Sequence, residues 1–170
     1  ENGVFIGKKG QLLEDIAVPD QDVLKANMKA IQSFSQKYSD IPVNMLLVPD
    51  AANILSDRLP FTATVADQSQ YIAQVKKELG DSVQWIDAVK PLTRHSDEKI
   101  YYKTDHHWTA KGAYYVFQEA ARTLNLEEQE TEYASYPITT DFNGSLASKS
   151  GCRLNEKEQI DNLCTKDRRQ

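Results

Sequence analysis

The chain has 170 residues and a mass of 19.2 kDa, with 20 Lys+Arg against 25 Asp+Glu and a net charge of −5. That length suits one hydrophobic core, and a chain 40% apolar and 26% charged reads as an ordinary soluble globular protein. No apolar run approaches the roughly 20 residues of a membrane span. A pI near 5.2 without a Lys/Arg-rich block argues against nucleic acid as the main partner, because phosphate neutralisation dominates such binding.

Along the chain, Val4-Phe5-Ile6, the turn-like Gly7-Lys8-Lys9-Gly10 and Leu12-Leu13 read as an N-terminal hairpin. Asp20 is placed to cap a helix over 21–38, with Leu24, Met28, Ile31, Ser35 and Tyr38 at helical spacing. Val43 to Val48 is nearly continuous in apolar residues, the pattern of a strand covered on both faces in a parallel sheet. A helix is expected over 67–79, closed by Gly80. Val83–Ile86 and Ile100–Tyr102 read as further strands. Thr109 can cap a last clear helix whose buried stripe is Tyr114, Phe117, Ala121 and Leu124. This alternation of strand and helix is the signature of an α/β layered fold with a largely parallel sheet.

Past Leu126 the pattern weakens. Residues 127–132 are acidic and read as a solvated helix end or loop, and 133–151 hold scattered aromatics without a sustained period. Residues 152–170 form a polar tail, too poor in apolar side chains to be a domain and expected to be disordered in part. The division is therefore an α/β domain over 1–151 and a tail over 152–170. Cys152 and Cys164 are too few for a disulfide framework; they either bridge each other in an oxidising compartment or remain two unpaired thiols. No signal peptide is visible at Glu1-Asn2-Gly3, as in a chain trimmed of its leader.

The densest chemistry lies in Thr104-Asp105-His106-His107-Trp108-Thr109, where a strand-like stretch meets a helix. In open α/β sheets ligands bind at such junctions. A carboxylate two residues before a histidine can curl back onto its Nδ1 proton, fixing the tautomer and leaving Nε2 as a general base. Asp105 and His107 have that relation; Trp108 would wall the site, and Gly112 would let the helix start pack closely. Two other readings stand beside this one. The cluster can simply cap and decorate a helix start, with Trp108 in the core, or Asp105, His106 and His107 can hold a metal. The metal reading is weakened because adjacent ligands seldom close on one ion. No cofactor is expected. Outside the cluster, His95 reads as surface decoration, Asp50 and Asp87 as helix caps, and most of the tyrosines as core packing.

The run Tyr102-Lys103-Thr104-Asp105-His106-His107-Trp108-Thr109 resembles the signature of the bacterial DHHW family. It is also similar to the Asp-Thr-His-Trp-Thr motif of alginate O-acetylation proteins such as AlgJ and AlgX, whose domains resemble SGNH hydrolases. Asp-x-His in place of Asp-x-x-His, and Trp108 where esterases usually have proline, match the acetylation branch. Weaker likenesses lie in Asn2–Gly10 with Lys9 and Gln11 replacing Asp and Trp, in Leu47-Val48-Pro49 and Leu59-Pro60, and in Asp141–Gly151, so that the resemblance spans about 1–151.

The resemblance implies a three-layer α/β/α domain with Asp105 as orienting acid and His107 as base of a Ser-His-Asp triad. It further implies esterase or O-acetyltransferase chemistry on a cell-envelope or exported polysaccharide, outside the cytoplasm, with a polysaccharide or an acetyl-donor protein as partner. His106 and Trp108 are candidate substrate contacts. The nucleophile is the missing piece: Ser145 follows Gly144 but no apolar strand precedes it, and Ser148 and Ser150 read as loop. The chain is accordingly expected to be inactive alone, either as part of a longer protein or as a natural short relative. The alternative is a non-catalytic carbohydrate- or protein-binding module.

Overall fold

The computed structural model describes residues 2–126, 133–152 and 157–166. The acidic stretch 127–132 lies outside the described residues, as do 153–156 and 167–170 of the tail. The N-terminal hairpin forms as expected: β1 (Val4–Ile6) pairs antiparallel with β2 (Leu12–Glu14), Phe5 opposite Leu13. Leu12 and Leu13 are both fully buried. Helix α1 (Gln21–Lys37) starts where Asp20 Oδ1 accepts from Asp22 N and Val23 N at 2.9 and 3.0 Å. Its Met28 is buried with Leu24 and Ile31 beside it, but Phe34 and Tyr38 stay exposed at its end.

There follow β3 (Asn44–Leu46), α2 (Ala51–Ile54), α3 (Gln68–Leu79) and β4 (Gln84–Ile86). β3 and β4 pair in parallel, Met45 opposite Trp85, which is the strand–helix–strand unit the sequence implies. The expectation of a strand covered on both faces is not met: among the described residues β3 pairs only with β4, and Leu46 and Val48 keep 37% and 41% of their surface exposed. An apolar run reports that a strand prefers cover, not that a neighbour supplies it. The described strands form three two-stranded sheets, β1–β2, β3–β4 and a C-terminal pair, and only β3–β4 is parallel. One continuous, mainly parallel sheet is therefore not what these residues make.

Helix α4 (Val89–Arg94) is capped by Asp87, whose Oδ1 accepts from Val89 N and Lys90 N; Asp50 accepts from Ala52 N in the same way. Both strand-end aspartates are thus caps. Ile100–Tyr102, expected as a strand, makes a single bridge, Tyr101 to Trp108. The apolar side chains of Ile100 and Tyr101 instead fill the main core with Leu13, Leu55, Leu92 and Val116. Thr109 caps α5 (Ala110–Thr123) as expected. The buried stripe is turned from the expected one, however: Gly112, Val116 and Ala121 face inward, and Phe117 is 51% exposed. Gly112 decides this. A Cβ there would stand 2.4 Å from Ile100 O, so the residue without one takes the closest approach.

The C-terminal part holds more structure than its sequence suggests. β5 (Tyr133–Phe142), α6 (Ser145–Ser150) and β6 (Glu158–Thr165) follow, with β5 and β6 antiparallel and two register shifts near Pro137 and Thr139. The tail expected to be partly disordered therefore contributes a strand, and Ser148 and Ser150 lie in a helix rather than a loop. Most β5 residues are exposed, so the pair shows no apolar alternation for a sequence pattern to detect. Cys152 and Cys164 are free thiols. Among the described residues no helix is long and apolar enough to cross a membrane.

Candidate active site

The Thr104–Thr109 loop joins the core stretch at Ile100 and Tyr101 to the start of α5, and main-chain bonds hold it from several sides. From the N-terminal hairpin, Leu12 N donates to Lys103 O at 2.8 Å. The fully buried Gln11 donates Nε2 to Tyr102 O at 2.7 Å. From α6, Leu146 N and Ala147 N donate to Thr104 O at 3.0 and 3.1 Å. From β6, the buried carboxylate of Glu158 accepts Lys103 N at 2.8 Å, and Thr104 N and Thr104 Oγ1 at 2.7 Å each. Thr104 Oγ1 in turn accepts Gly144 N at 3.0 Å. At the far end Thr109 Oγ1 donates to Lys99 O and accepts Gly112 N, so one hydroxyl closes the loop and opens the helix.

This frame leaves Asp105 buried and His107 exposed. Asp105 Oδ1 accepts both His107 N at 2.9 Å and His107 Nδ1 at 2.7 Å. The backbone curls between them, as the two-residue spacing requires. Asp105 Oδ2 accepts Ser145 N at 2.8 Å. Burial raises the affinity of Asp105 for a proton, but the bonds from Ser145 N, His107 N and the His107 ring outweigh it, and the carboxyl is held well below the usual aspartate range. An ionised Asp105 accepts a proton-bearing Nδ1, so Nε2 of His107 is the basic nitrogen, and it faces outward with two-thirds of the side chain exposed.

The other sequence-predicted residues are also placed. His106 is exposed and tilts against His107 with ring centroids 4.0 Å apart. Its Nδ1 lies 2.8 Å from Ser145 Oγ. Ser145 therefore meets His106 and, through its N–H, Asp105, but its hydroxyl is not on His107. Trp108 is half-buried and packs against the main core. Asp105, His106 and His107 each place a possible donor atom within 4.8 Å of the others. A cation there would have to compete with the bonds that already occupy both Asp105 oxygens. Outside the cluster His95 is more than decoration: it stacks on Tyr115 at 3.6 Å and its Nδ1 meets Glu98 Oε1 at 2.7 Å.

Two residues that the sequence reading passed over support this geometry. Glu158 lies in the polar tail, where no local pattern marks it. Gly144 has an ordinary φ, yet a Cβ on it would fall 2.4 Å from Asp105 Cβ and 2.7 Å from Asp105 Oδ2. The glycine is needed for close approach, and the only trace of this in the sequence is the Asn143-Gly144 pair.

Comparison with known proteins identifies the family and the fold. Residues 11–164 match the family model of the SGNH hydrolase-like domain of the acetyltransferase AlgX. The chain belongs to that family. A DHHW family protein from Eubacterium siraeum shares its fold with a TM-score of 0.78 and 21% identity, over 97% of this chain and 55% of that one. The O-acetyltransferase domain of Pseudomonas putida AlgJ gives a TM-score of 0.67 and 17% identity, over 97% and 66%. Bacillus cereus PatB1 gives 0.71 and 21%, over 96% and 59%. The chain thus spans between about half and two-thirds of the length of these structures. A comparison with curated proteins gave no match.

Proposed function

We propose that this SGNH-like domain carries the acid–base half of an acyl-transfer site. In this reading Asp105 is the orienting acid and His107 the base of Ser-His-Asp chemistry of the esterase or O-acetyltransferase type. The single observation that carries the reading is the 2.7 Å bond from His107 Nδ1 to an ionised, buried Asp105. In a complete site Nε2 takes the proton of a serine hydroxyl as its oxygen attacks an acetyl carbonyl, and returns it to the leaving alcohol. An acceptor hydroxyl then repeats the cycle in reverse on the acetyl-serine. The acceptor is a cell-envelope or exported polysaccharide outside the cytoplasm, and the acetyl group comes from a donor that is a separate molecule. The likeness to the AlgX domain, and a strand–helix–strand unit of the kind found in three-layer α/β/α domains, support the reading.

The reading takes the chain by itself to be inactive, and it is supported by Ser145 Oγ lying 2.8 Å from His106 Nδ1 rather than on His107. The same observation favours a second reading, in which the domain binds carbohydrate or protein without catalysis. Two measurements test the proposal. Nitrogen-15 NMR of the imidazoles is expected to show His107 protonated at Nδ1 and unprotonated at Nε2 at neutral pH, and Asp105→Asn to lose that tautomer; an Nε2–H tautomer in the parent chain would sink the assignment. Turnover of an aryl acetate is expected to stay at the buffer rate. Turnover abolished by His107→Ala and by Ser145→Ala would show a complete site and overturn the claim of inactivity.

A further inference from the structure

A cleft of about 420 Å3 lies between the first turns of α5 and the β5–β6 pair, beginning at Thr109, two residues past His107. That volume is in the range of small-ligand sites, about 300–1,000 Å3. Its walls combine aromatic faces with hydrogen-bonding groups: Tyr102, Tyr114 and Tyr133 on one hand, Ser135, Gln159 and Asp161 on the other. Tyr114 and Tyr133 meet at 4.8 Å with their rings tilted by 57°, so they form an angled aromatic corner rather than a closed stack. Tyr102 is fixed edge-on against Phe142 at 5.2 Å. The sequence places Tyr114 on a buried helical stripe and Tyr102 in a strand, yet both are only half-buried, and Tyr133 is exposed.

Among the described residues, the charged side chains that line the cleft each have a partner. Lys99 Nζ donates to Gln159 O at 2.9 Å and lies 3.9 Å from Glu158 Oε1. Lys111 is paired with Glu98. Asp161 is the acid that lines the cleft, and its Oδ1 accepts from Gln159 Nε2. An anion would find both lysines engaged and a carboxylate facing it. Aromatic faces that cover C–H surface, together with the Ser135 hydroxyl and the second oxygen of the Asp161 carboxylate, which can donate to and accept from hydroxyls, match a ring carrying several hydroxyl groups and no charge.

We propose that this cleft binds an uncharged sugar ring of a glycan chain. It rests on the acyl-transfer reading only in supplying the acceptor class, since the binding itself needs neither Asp105 nor His107.

The test is a heteronuclear NMR titration of the whole chain with cellotriose and chitotriose, and with a uronate trisaccharide as the charged comparison. The neutral sugars are expected to shift the amides of Tyr133, Ser135, Asp161 and Leu163 while leaving the β1–β2 hairpin unmoved. Asp161→Asn is expected to weaken binding about tenfold, as loss of a charge-assisted bond does, and Tyr133→Ala by at least as much. The unligated spectrum of each variant reports whether its fold is intact, and Asp161→Asn, nearly isosteric, carries the test if Tyr133→Ala disturbs the strand pair. His107→Ala is expected to leave sugar binding unchanged. No shifts up to the solubility limit of the neutral sugars, tighter binding of the uronate, or binding lost in His107→Ala would each overturn the proposal. Neutral-sugar binding that persists while the His107 tautomer proves wrong would sink the acyl-transfer reading and leave this one standing.

Discussion

Glutamine at position 158 keeps the shape of the buried glutamate but turns one of its two acceptor oxygens into a donor. In the parent chain Oε1 takes Lys103 N, while Oε2 takes both Thr104 N and Thr104 Oγ1. Whichever way the amide faces, its N–H groups meet an N–H of the motif loop. With the amide nitrogen toward Lys103 one charge-assisted bond is lost; toward Thr104, the main-chain bond is lost and the hydroxyl must turn. Hydrogen bonds to charged groups contribute about 1.5–3 kcal/mol each, and a buried donor left unsatisfied costs about 1–3 kcal/mol. The cheaper orientation sets an expected destabilisation of about 2–3 kcal/mol for Glu158→Gln by the same reckoning. For a chain of this size each kcal/mol lowers Tm by about 2–4 °C, so thermal unfolding followed by circular dichroism should fall by about 4–12 °C. The Nδ1–H signal of His107 should shift as well, because Thr104 anchors the residue next to Asp105. A Tm within about 1 °C of the parent, with the His107 signal unmoved, would refute the claim that β6 holds the site in place.

Two further predictions follow from the same geometry. Gly144→Ala puts a methyl group against Asp105 Cβ, Asp105 Oδ2 and Thr104 O. It should cost about 1–3 kcal/mol in urea unfolding and weaken the Asp105–His107 bond, read as an upfield move of the Nδ1 proton. Acid should also destabilise the fold in a defined window. Glu98 is held at about 2 against an ordinary 4.5, chiefly by the Lys111 ammonium and next by the His95 ring, with Tyr115 adding a bond while burial opposes them. A carboxyl depressed in the folded state gives stability that is whole above its unfolded value and is lost as pH falls through its folded one. Tm should therefore decline from near pH 4.5 toward pH 2, with Asp105 contributing in the same direction. Glu98→Gln should flatten the upper part of that decline; an unchanged profile would show that the Glu98 cluster does not contribute.

The parts of the fold legible in the sequence are those whose signals are local. Asp20, Asp50, Asp87 and Thr109 each cap the helix that begins beside them, since a cap bond spans two or three residues. The hairpin around Gly7–Gly10 and the parallel partners at 44–46 and 84–86 carried their patterns of turn residues and apolar runs. The β5–β6 pair did not, because β5 is exposed along most of its length and the buried residue of β6 is a glutamate, so neither strand carries an apolar alternation.

The candidate site divides in the same way. Asp105 and His107 stand two residues apart, and that spacing alone lets one backbone turn bring carboxylate and imidazole together, so the pair could be read from the chain. The residues that hold the pair could not. Glu158, Gly144 and the main chain of Ser145 reach Thr104 and Asp105 across about 40 or more residues, and nothing in a local pattern encodes which distant carboxylate meets which loop. Ser145 shows the limit most plainly. Sequence offered it as a candidate nucleophile, and the tertiary structure set its hydroxyl on His106 and its N–H on Asp105, because α6 approaches the loop from the Asp105 side. The sequence alone determined which acid and base could pair; packing across the chain decided what surrounds them.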